Sequence, residues 1–233
     1  MVKEELVQRS PVRVFMKYIK GGLQAGELGI VASLSGIGKT SVLVQIALDK
    51  LLQGKKVIHI SFTQHTDYVL AWYEDIFSEF ISKKNLEHEK DIKDDIVKNR
   101  VLMKFNQDGL TVDQILRSLE ALIKDGGFAA DDVIIDGYKF TAKDRDNISK
   151  IKEFAKKLKL SVWFSCTVSE TSSYDKNGIP LQLKDYAELF DIIVDLKPKQ
   201  AHIEFLLARS RDSESPENLA LRLDPKTLLI LDN

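Results

Sequence analysis

Residues Leu28–Thr40 read LGIVASLSGIGKT, and this stretch decides the fold class. Its first six residues, Leu28–Ser33, form a short apolar run of the kind found in buried parallel strands. A glycine-bearing loop follows, and after Lys39-Thr40 apolar residues recur at helical spacing. Apolar strand, glycine-bearing loop and amphipathic helix, in this order, are the context that a phosphate-binding loop requires.

The loop SLSGIGKT, residues 33–40, carries the chemistry of phosphate binding. Glycine permits the dihedral angles that turn backbone N–H groups into a concavity, and the following helix presents its positive amino end. We expect Lys39 to reach the β- and γ-phosphates and the Thr40 hydroxyl to bind Mg²⁺. The predicted nucleotide-binding residues are Ser35, Gly36, Ile37, Gly38, Lys39 and Thr40.

One position departs from the GxxxxGK[ST] pattern, because Ser33 stands where the first glycine is expected. Serine is small, so we expect the turn to survive with some strain. The alternative is a chance Gly-Lys-Thr at a helix start, and the correct strand and helix on either side argue against it.

A second candidate ligand lies at the end of the apolar strand Val133–Asp136. An aspartate there, beside the phosphate loop, would hold the Mg²⁺ shell, usually through water. The predicted metal ligands are therefore Thr40 and Asp136. No Asn-Lys-x-Asp segment is present to bind guanine, so ATP is the predicted nucleotide and the predicted cofactors are ATP and Mg²⁺.

Strands alternate with helices along most of the chain, which favours a parallel sheet wrapped by helices. After a long polar loop at 168–181 the helical period fades, and four short strands indicate antiparallel hairpins. We predict an α/β fold, mainly a parallel sheet flanked by helices with an antiparallel C-terminal extension, in a single domain over 1–233. The predicted strands are 28–33, 56–62, 101–105, 133–136, 161–166, 191–196, 202–208, 219–223 and 228–231. The predicted helices include 66–81, a solvated charged helix within 82–100, one opened by a capping box at 111–114, and 147–158.

Composition excludes several classes of protein. The 233 residues carry 34 basic and 35 acidic side chains, a net charge of −1, which does not indicate a nucleic-acid partner, although a local basic patch is left open. The single cysteine, Cys166, can form neither an internal disulfide nor a cysteine zinc site. The chain shows no apolar leader and no run of about 18 apolar residues, so we predict a cytoplasmic protein without a membrane partner.

The order of these elements resembles the RecA-like ATPases, specifically their KaiC/RadA/DnaB branch. The resemblance covers roughly residues 15–231. It is carried by the Gly-Gly-Leu turn at 21–23, the loop at 33–40, the strand at 56–62, the aspartate strand at 132–137, the helix and strand at 148–167, the hairpin at 201–224 and the ending Leu223–Leu228.

The resemblance implies a catalytic glutamate directly after the second strand, and this chain has Thr63 and Gln64 there. A threonine cannot accept a proton from water at neutral pH, and a glutamine can hydrogen-bond water but is no base. Losing a general base costs about 10²–10⁴ in rate. We therefore expect ATP binding with slow or absent hydrolysis, unless Glu74 or Asp75 supplies the carboxylate.

The resemblance also assigns roles to a cationic pair and to a polar sensor. Ring-forming relatives place Lys-x-Arg on the hairpin to reach the γ-phosphate of the neighbouring subunit, and Arg209 and Arg211 keep both charges. This implies head-to-tail homo-oligomers, as a ring or filament; the alternative is two solvated arginines. The γ-phosphate sensor falls at Cys166 or Thr167, where the alternative is a small buried cysteine.

Three functions remain open at this point. The first is an ATP-binding regulatory or assembly ATPase that hydrolyses poorly. The second is an active DNA-dependent ATPase, a recombinase or helicase-core-like motor; it is not favoured, because charges in 139–152 and 168–181 are balanced. The third is an interaction module with a structural nucleotide. Whether the chain is an enzyme stays undecided.

Overall fold

The computed structural model describes residues 10, 12–82, 89–141, 143–169, 171–211, 213 and 215–232. Six α-helices are formed there: α1 Val12–Tyr18, α2 Lys39–Leu52, α3 Thr66–Ser82, α4 Glu89–Lys98, α5 Val112–Lys124 and α6 Arg145–Leu158. The strands are β1 Leu28–Ser33, β2 Val57–Ser61, β3 Arg100–Lys104, β4 Asp132–Asp136, β5 Ser161–Thr167, β6 Ile192–Pro198, β7 Ile203–Arg209, β8 Glu217–Leu223 and β9 Ile230–Asp232. A 3₁₀ segment spans Leu181–Leu189.

All these strands belong to one sheet with the order β3-β2-β4-β5-β1-β6-β7-β8-β9. The six strands from β3 to β6 in this order run parallel. The three C-terminal strands continue the sheet antiparallel. The predicted fold class, a parallel sheet flanked by helices with an antiparallel extension, is confirmed.

Register brings four strand ends to one edge of the sheet. Ser33 of β1 pairs with Thr167 of β5, and Ser61 of β2 pairs with Asp136 of β4. Parallel strands end at the same edge, and in open α/β sheets ligands bind in the crevice beyond those carboxyl ends. The polar strand ends therefore collect where a ligand site is expected.

Two apolar layers cover the faces of the sheet. On one face α1 to α4 pack over a cluster that includes Phe15, Tyr73 and Trp163. On the other face α5, α6 and the 3₁₀ segment pack over a cluster that includes Phe164 and Phe190. Adjacent residues of β5 face opposite layers because side chains alternate along a strand.

Helix α2, which follows the phosphate loop, lies in the middle of the first layer. Its consecutive residues Val42, Leu43 and Val44 are all fully buried, so the helix is enclosed on every side. The buried Gln45 amide donates to the Leu228 carbonyl (2.8 Å) and accepts from the Ile230 amide (2.9 Å). These bonds tie α2 to the chain entering β9, so the start of the helix is fixed from both layers and from the C-terminal strand.

Several local predictions can be compared with the structure. The capping box is confirmed, because the Gln114 amide donates to Thr111 Oγ1 (3.3 Å) and the Thr111 amide donates to Gln114 Oε1 (2.8 Å). The charged segment 82–100 lies partly outside the described residues, at 83–88, and its described part is not simply solvated. Ile92 and Ile96 of α4 are buried against the first layer. The 3₁₀ segment was not predicted.

None of the described helices combines the length and apolar character needed to cross a membrane.

Candidate functional site

The phosphate loop follows the carboxyl end of β1 and leads directly into α2. Gly36 and Gly38 adopt left-handed backbone angles, with φ of +76° and +113°. A methyl group on Gly38 would lie 2.5 Å from the Leu223 side chain, whereas one on Gly36 would meet no atom within 4 Å. Gly38 is therefore held against the core, and Gly36 opens onto free space.

Ser33 is not strained, so the expectation of strain at this position is wrong. The residue belongs to β1, pairs in register with Thr167 and has no left-handed φ. The left-handed turns of the loop fall on Gly36 and Gly38 instead, where no side chain opposes them. The Ser33 hydroxyl donates to the Leu34 carbonyl (2.9 Å) and accepts from the Lys39 ammonium (3.2 Å).

The Lys39 ammonium is folded back onto its own loop. It donates to the Leu34 carbonyl (2.7 Å) and to the Ser33 carbonyl (3.2 Å), and the residue is only 8% exposed. Burial lowers the pKa of Lys39, and its acidic neighbours Cys166, Asp136 and Asp195 partly offset this effect. The cation thus sits among oxygens that a phosphate can replace.

Asp136 is the centre of a short polar chain. Thr40 Oγ1 donates to one carboxylate oxygen (2.8 Å), and Ser165 Oγ donates to the other (2.5 Å). The Gly137 amide donates in turn to Ser165 Oγ (2.8 Å). A hydroxyl and a carboxylate are hard oxygen donors of the kind that Mg²⁺ takes, usually with water and substrate phosphate, so the donor set fits this metal.

A cavity of about 610 Å³ lies over these groups. Its volume falls within the range of small-molecule and cofactor sites, about 300–1,000 Å³. Among its lining residues in the described part of the chain, Asp136 is the sole carboxylate. The lining residues are Ser35, Gly36, Gly38, Lys39, Thr40, Ser41, Thr63, Gln64, Trp72, Asp136, Gly137, Tyr138, Lys139, Phe140, Ser165, Thr167, Ser169, Gln182 and Leu228.

The structure brings most of the predicted nucleotide-binding residues to this cavity. Ser35, Gly36, Gly38, Lys39 and Thr40 line it together with Asp136. The Ile37 side chain instead packs against the first apolar layer. Its predicted role is therefore confined to its backbone.

Thr63 and Gln64 also line the cavity, at the end of β2. Thr63 is exposed and lies against Gly137, where an added methyl group would be 2.5 Å from Thr63 Oγ1. The Gln64 amide donates to Ser61 Oγ (2.9 Å), and its side-chain Oε1 is buried without a hydrogen-bond partner. Position 63 therefore opens onto the site but carries no carboxylate.

The two acids that could replace the missing glutamate lie elsewhere. Glu74 faces Lys93 on α4, at 3.7 Å. Asp75 lines a neighbouring cavity of about 370 Å³ that shares Thr63, Gln64 and Trp72 with the main one. Neither acid lines the main cavity in the described structure.

The end of β5 carries Cys166 and Thr167. Cys166 is fully buried, and burial raises the pKa of its thiol to about 12. Thr167 lines the cavity. Gln182, from the 3₁₀ segment, donates to Cys166 Sγ (2.8 Å) and to the Thr167 carbonyl (3.0 Å). The sequence pattern missed Ser165 and Gln182, because neither belongs to a local motif.

Arg209 and Arg211 lie away from the phosphate loop of their own chain. Arg209 pairs with Ile193 near the amino end of β6, and β1 extends by about 3.3 Å per residue from that edge toward the loop. Arg211 binds both carboxylate oxygens of Glu27 and the carbonyls of Ile19 (3.0 Å) and Gly22. In this chain Arg211 fastens the turn that follows α1.

Comparison with known proteins gives the fold. No protein-family model and no curated protein matches the chain. A solved structure of the ATPase domain of a DnaB-like helicase aligns with a TM-score of 0.67 at 14% identity, over 94% of this chain and 89% of that chain. At this identity the likeness concerns the fold alone, and together with the strand order it shows that the chain has the RecA-like fold.

The two loop glycines make a matched pair for testing the loop geometry. We expect Gly36→Ala to lower the free energy of unfolding by about 1–2 kcal/mol, the cost of a left-handed alanine. Gly38→Ala should cost about 1–3 kcal/mol more, because its methyl group also displaces the buried Leu223. Urea denaturation of both variants measures the difference, and equal losses would contradict the loop geometry described above.

Proposed function

We propose that this chain binds ATP·Mg²⁺ at the carboxyl edge of its sheet, hydrolyses it slowly or not at all, and acts as a regulatory or assembly ATPase. One observation carries the proposal: a cavity with a complete phosphate loop, Lys39, Thr40 and Asp136 has no second carboxylate among its lining residues in the described structure. Binding groups are present, and the group that would remove a proton from water is missing.

The binding part rests on the chemistry of the loop. The amino end of α2 and the backbone N–H groups of the loop favour an anion. Lys39 would exchange the Leu34 and Ser33 carbonyls for anionic phosphate oxygens, which form stronger, charge-assisted bonds. Thr40 and Asp136 would hold Mg²⁺, which when bound neutralises charge on the transferring phosphoryl group.

The slow-hydrolysis part rests on Thr63 and Gln64. The Thr63 hydroxyl faces the cavity but cannot act as a base near neutral pH, and the Gln64 amide can only orient water. Glu74 and Asp75 are placed outside the cavity lining. These positions favour a nucleotide that is held rather than consumed.

The two other functions fit the site less well. A DNA-dependent motor needs efficient turnover, and the candidate site lacks a base beside the predicted water position. A purely structural nucleotide would not require the open cavity of about 610 Å³ around the phosphate loop. We keep nucleic-acid binding outside the proposal, and we place the protein in the cytoplasm, without a membrane partner, on its composition alone.

Head-to-tail assembly is part of the proposal. Because Arg209 lies at the edge of the sheet opposite its own phosphate loop, it can reach a bound nucleotide only on another copy. Arg211 supports this role less, since its guanidinium already binds Glu27 and two carbonyls. We therefore assign the trans contact to Arg209 first and a bracing role to Arg211.

Removing the ammonium tests nucleotide binding. We expect Lys39→Ala to abolish ATP·Mg²⁺ binding, because no other cation in the described structure contacts the loop carbonyls. Isothermal titration measures the affinity, and thermal unfolding shows that the variant is folded. Lys55→Ala, which removes an exposed lysine paired with Asp131, is the matched control and should bind like the parent. Unchanged affinity in Lys39→Ala would defeat the binding assignment.

Restoring the carboxylate tests the hydrolysis proposal. Thr63→Glu should raise turnover at least tenfold, within the usual effect of a general base. Thr63→Gln has the same size without the charge and should leave turnover low. A phosphate-release assay compares the three proteins. The proposal fails if the parent already turns over at about 1 s⁻¹ or faster, or if Thr63→Glu binds nucleotide without any gain.

Assembly is measured by light scattering with and without a non-hydrolysable ATP analogue. We expect the analogue to increase the mass of the parent protein, and Arg209→Ala to reduce that increase several-fold. Arg222→Ala, an exposed arginine on β8, serves as the control. Arg211→Ala should instead lower the thermal stability, because it frees Glu27. A parent that stays monomeric with the analogue bound would refute head-to-tail assembly.

A further inference from the structure

The Gln182 side chain is the feature of the cavity that the proposed function has not yet used. It lines the cavity from the 3₁₀ segment, outside every recognised motif. Its amide nitrogen donates to Cys166 Sγ at 2.8 Å and to the Thr167 carbonyl at 3.0 Å. Both partners belong to the end of β5, beside the phosphate loop.

One of these two bonds is weak by its chemistry. A thiol sulfur is a poor hydrogen-bond acceptor, whereas a phosphate oxygen is an anionic and strong one. An N–H group that points at Cys166 therefore gains by turning to a phosphate oxygen within reach. The Gln182 amide is held ready by a partner that it can leave at little cost.

The main chain of Gln182 is held independently of its side chain. The Tyr186 hydroxyl donates to the Gln182 carbonyl (2.9 Å), and the neighbouring Leu181 amide donates to the Ser173 carbonyl (2.9 Å). The side chain can therefore rotate while its backbone stays in place. Through Leu181 the same segment is joined to the loop at 168–181.

The location of Cys166 fixes which part of a nucleotide Gln182 would meet. Cys166 interacts electrostatically with Lys39, the residue assigned to the β- and γ-phosphates. Ser165, its neighbour on β5, holds Asp136. Gln182 therefore faces the far end of the phosphate site, away from Ser41 and Leu228, which line the cavity at the end of the loop that leads into α2.

We propose that Gln182 distinguishes a nucleoside triphosphate from a diphosphate by exchanging its bond to Cys166 for one to the terminal phosphate. This inference rests on the proposed nucleotide binding. Gln182 is a specificity-determining residue in this account, and the exchange moves an amide that is joined by one residue to the loop at 168–181. A triphosphate would thereby be signalled to that loop without being hydrolysed.

The decisive quantity is the ratio of two affinities, for ADP·Mg²⁺ and for a non-hydrolysable ATP analogue with Mg²⁺. Gln182→Ala should lower the preference for the analogue about tenfold, since one bond to a charged group is lost, and should leave ADP affinity unchanged. Gln24→Ala, on a surface turn, is the matched control. Equal losses for both ligands, or no loss, would overturn the inference.

Two substitutions of Cys166 separate signalling from simple packing. Cys166→Ala removes the acceptor and should raise the preference for the analogue about two- to tenfold, whereas Cys166→Ser offers a stronger acceptor and should lower it. A packing role predicts no such opposite shifts. Thermal unfolding checks that each variant is folded, and either ratio moving in the wrong direction contradicts the exchange.

The outcome for ADP separates this inference from the proposed function. If the parent binds neither ligand, nucleotide binding itself fails. If the parent binds both ligands, Lys39→Ala loses both, and Gln182→Ala keeps the parent's ratio, only the role of Gln182 fails. Hydrogen exchange over 171–182 gives a second readout, with protection changed by the analogue but not by ADP in the parent, and by neither ligand in Gln182→Ala.

Discussion

The site depends on one buried cation, the Lys39 ammonium, held by the oxygens of its own loop. A buried charge is costly unless it is hydrogen-bonded, and here Ser33 and Leu34 supply the three acceptors. The loop can offer those acceptors because both of its ends are fixed. β1 is bonded to a parallel strand on each side, and α2 is enclosed by core. Lys39 is therefore placed by the fold before any ligand arrives.

The order of strands explains why the remaining groups meet at the same place. β4 and β5 lie between β2 and β1, so Asp136 and Ser165 end beside the start of α2. Thr40 then closes the chain of hydrogen bonds from the helix side. A shift of one residue in the register of β4 would turn Asp136 toward the other face, because side chains alternate along a strand. Sheet register is thus a direct determinant of the candidate metal site.

The sequence predicts this fold well where the signals are local. Apolar runs, helical periodicity, the loop glycines and the capping box at Thr111 each act within a few residues, and the structure contains all of them. The errors arise where a distant partner decides. Ile92 and Ile96 turn a charged segment into a packed helix, and Gln182 meets Cys166 across a 16-residue separation.

Arg211 shows the same limit of local patterns more strongly. Its spacing from Arg209 fits a cationic pair, but its partner Glu27 lies 184 residues away in the chain. No spacing rule contains that contact, which exists only because the antiparallel extension brings the end of β7 back to the turn after α1. A motif therefore identifies the type of charge at a position, and the topology decides whether that charge is available.

The departures from the resemblance concern one side of the cavity. Ser33 keeps the loop intact and contributes a hydroxyl to Lys39, so the groups assigned to binding are complete. Thr63, Gln64 and Cys166 replace the groups assigned to turnover and sensing, and Gln182 brings an amide back to the place that Cys166 leaves without one. Substitutions confined to the turnover side, with the binding side retained, are what a protein needs if its state depends on which nucleotide it holds. Such a protein has no use for fast hydrolysis, since a nucleotide consumed within seconds could not define a lasting state.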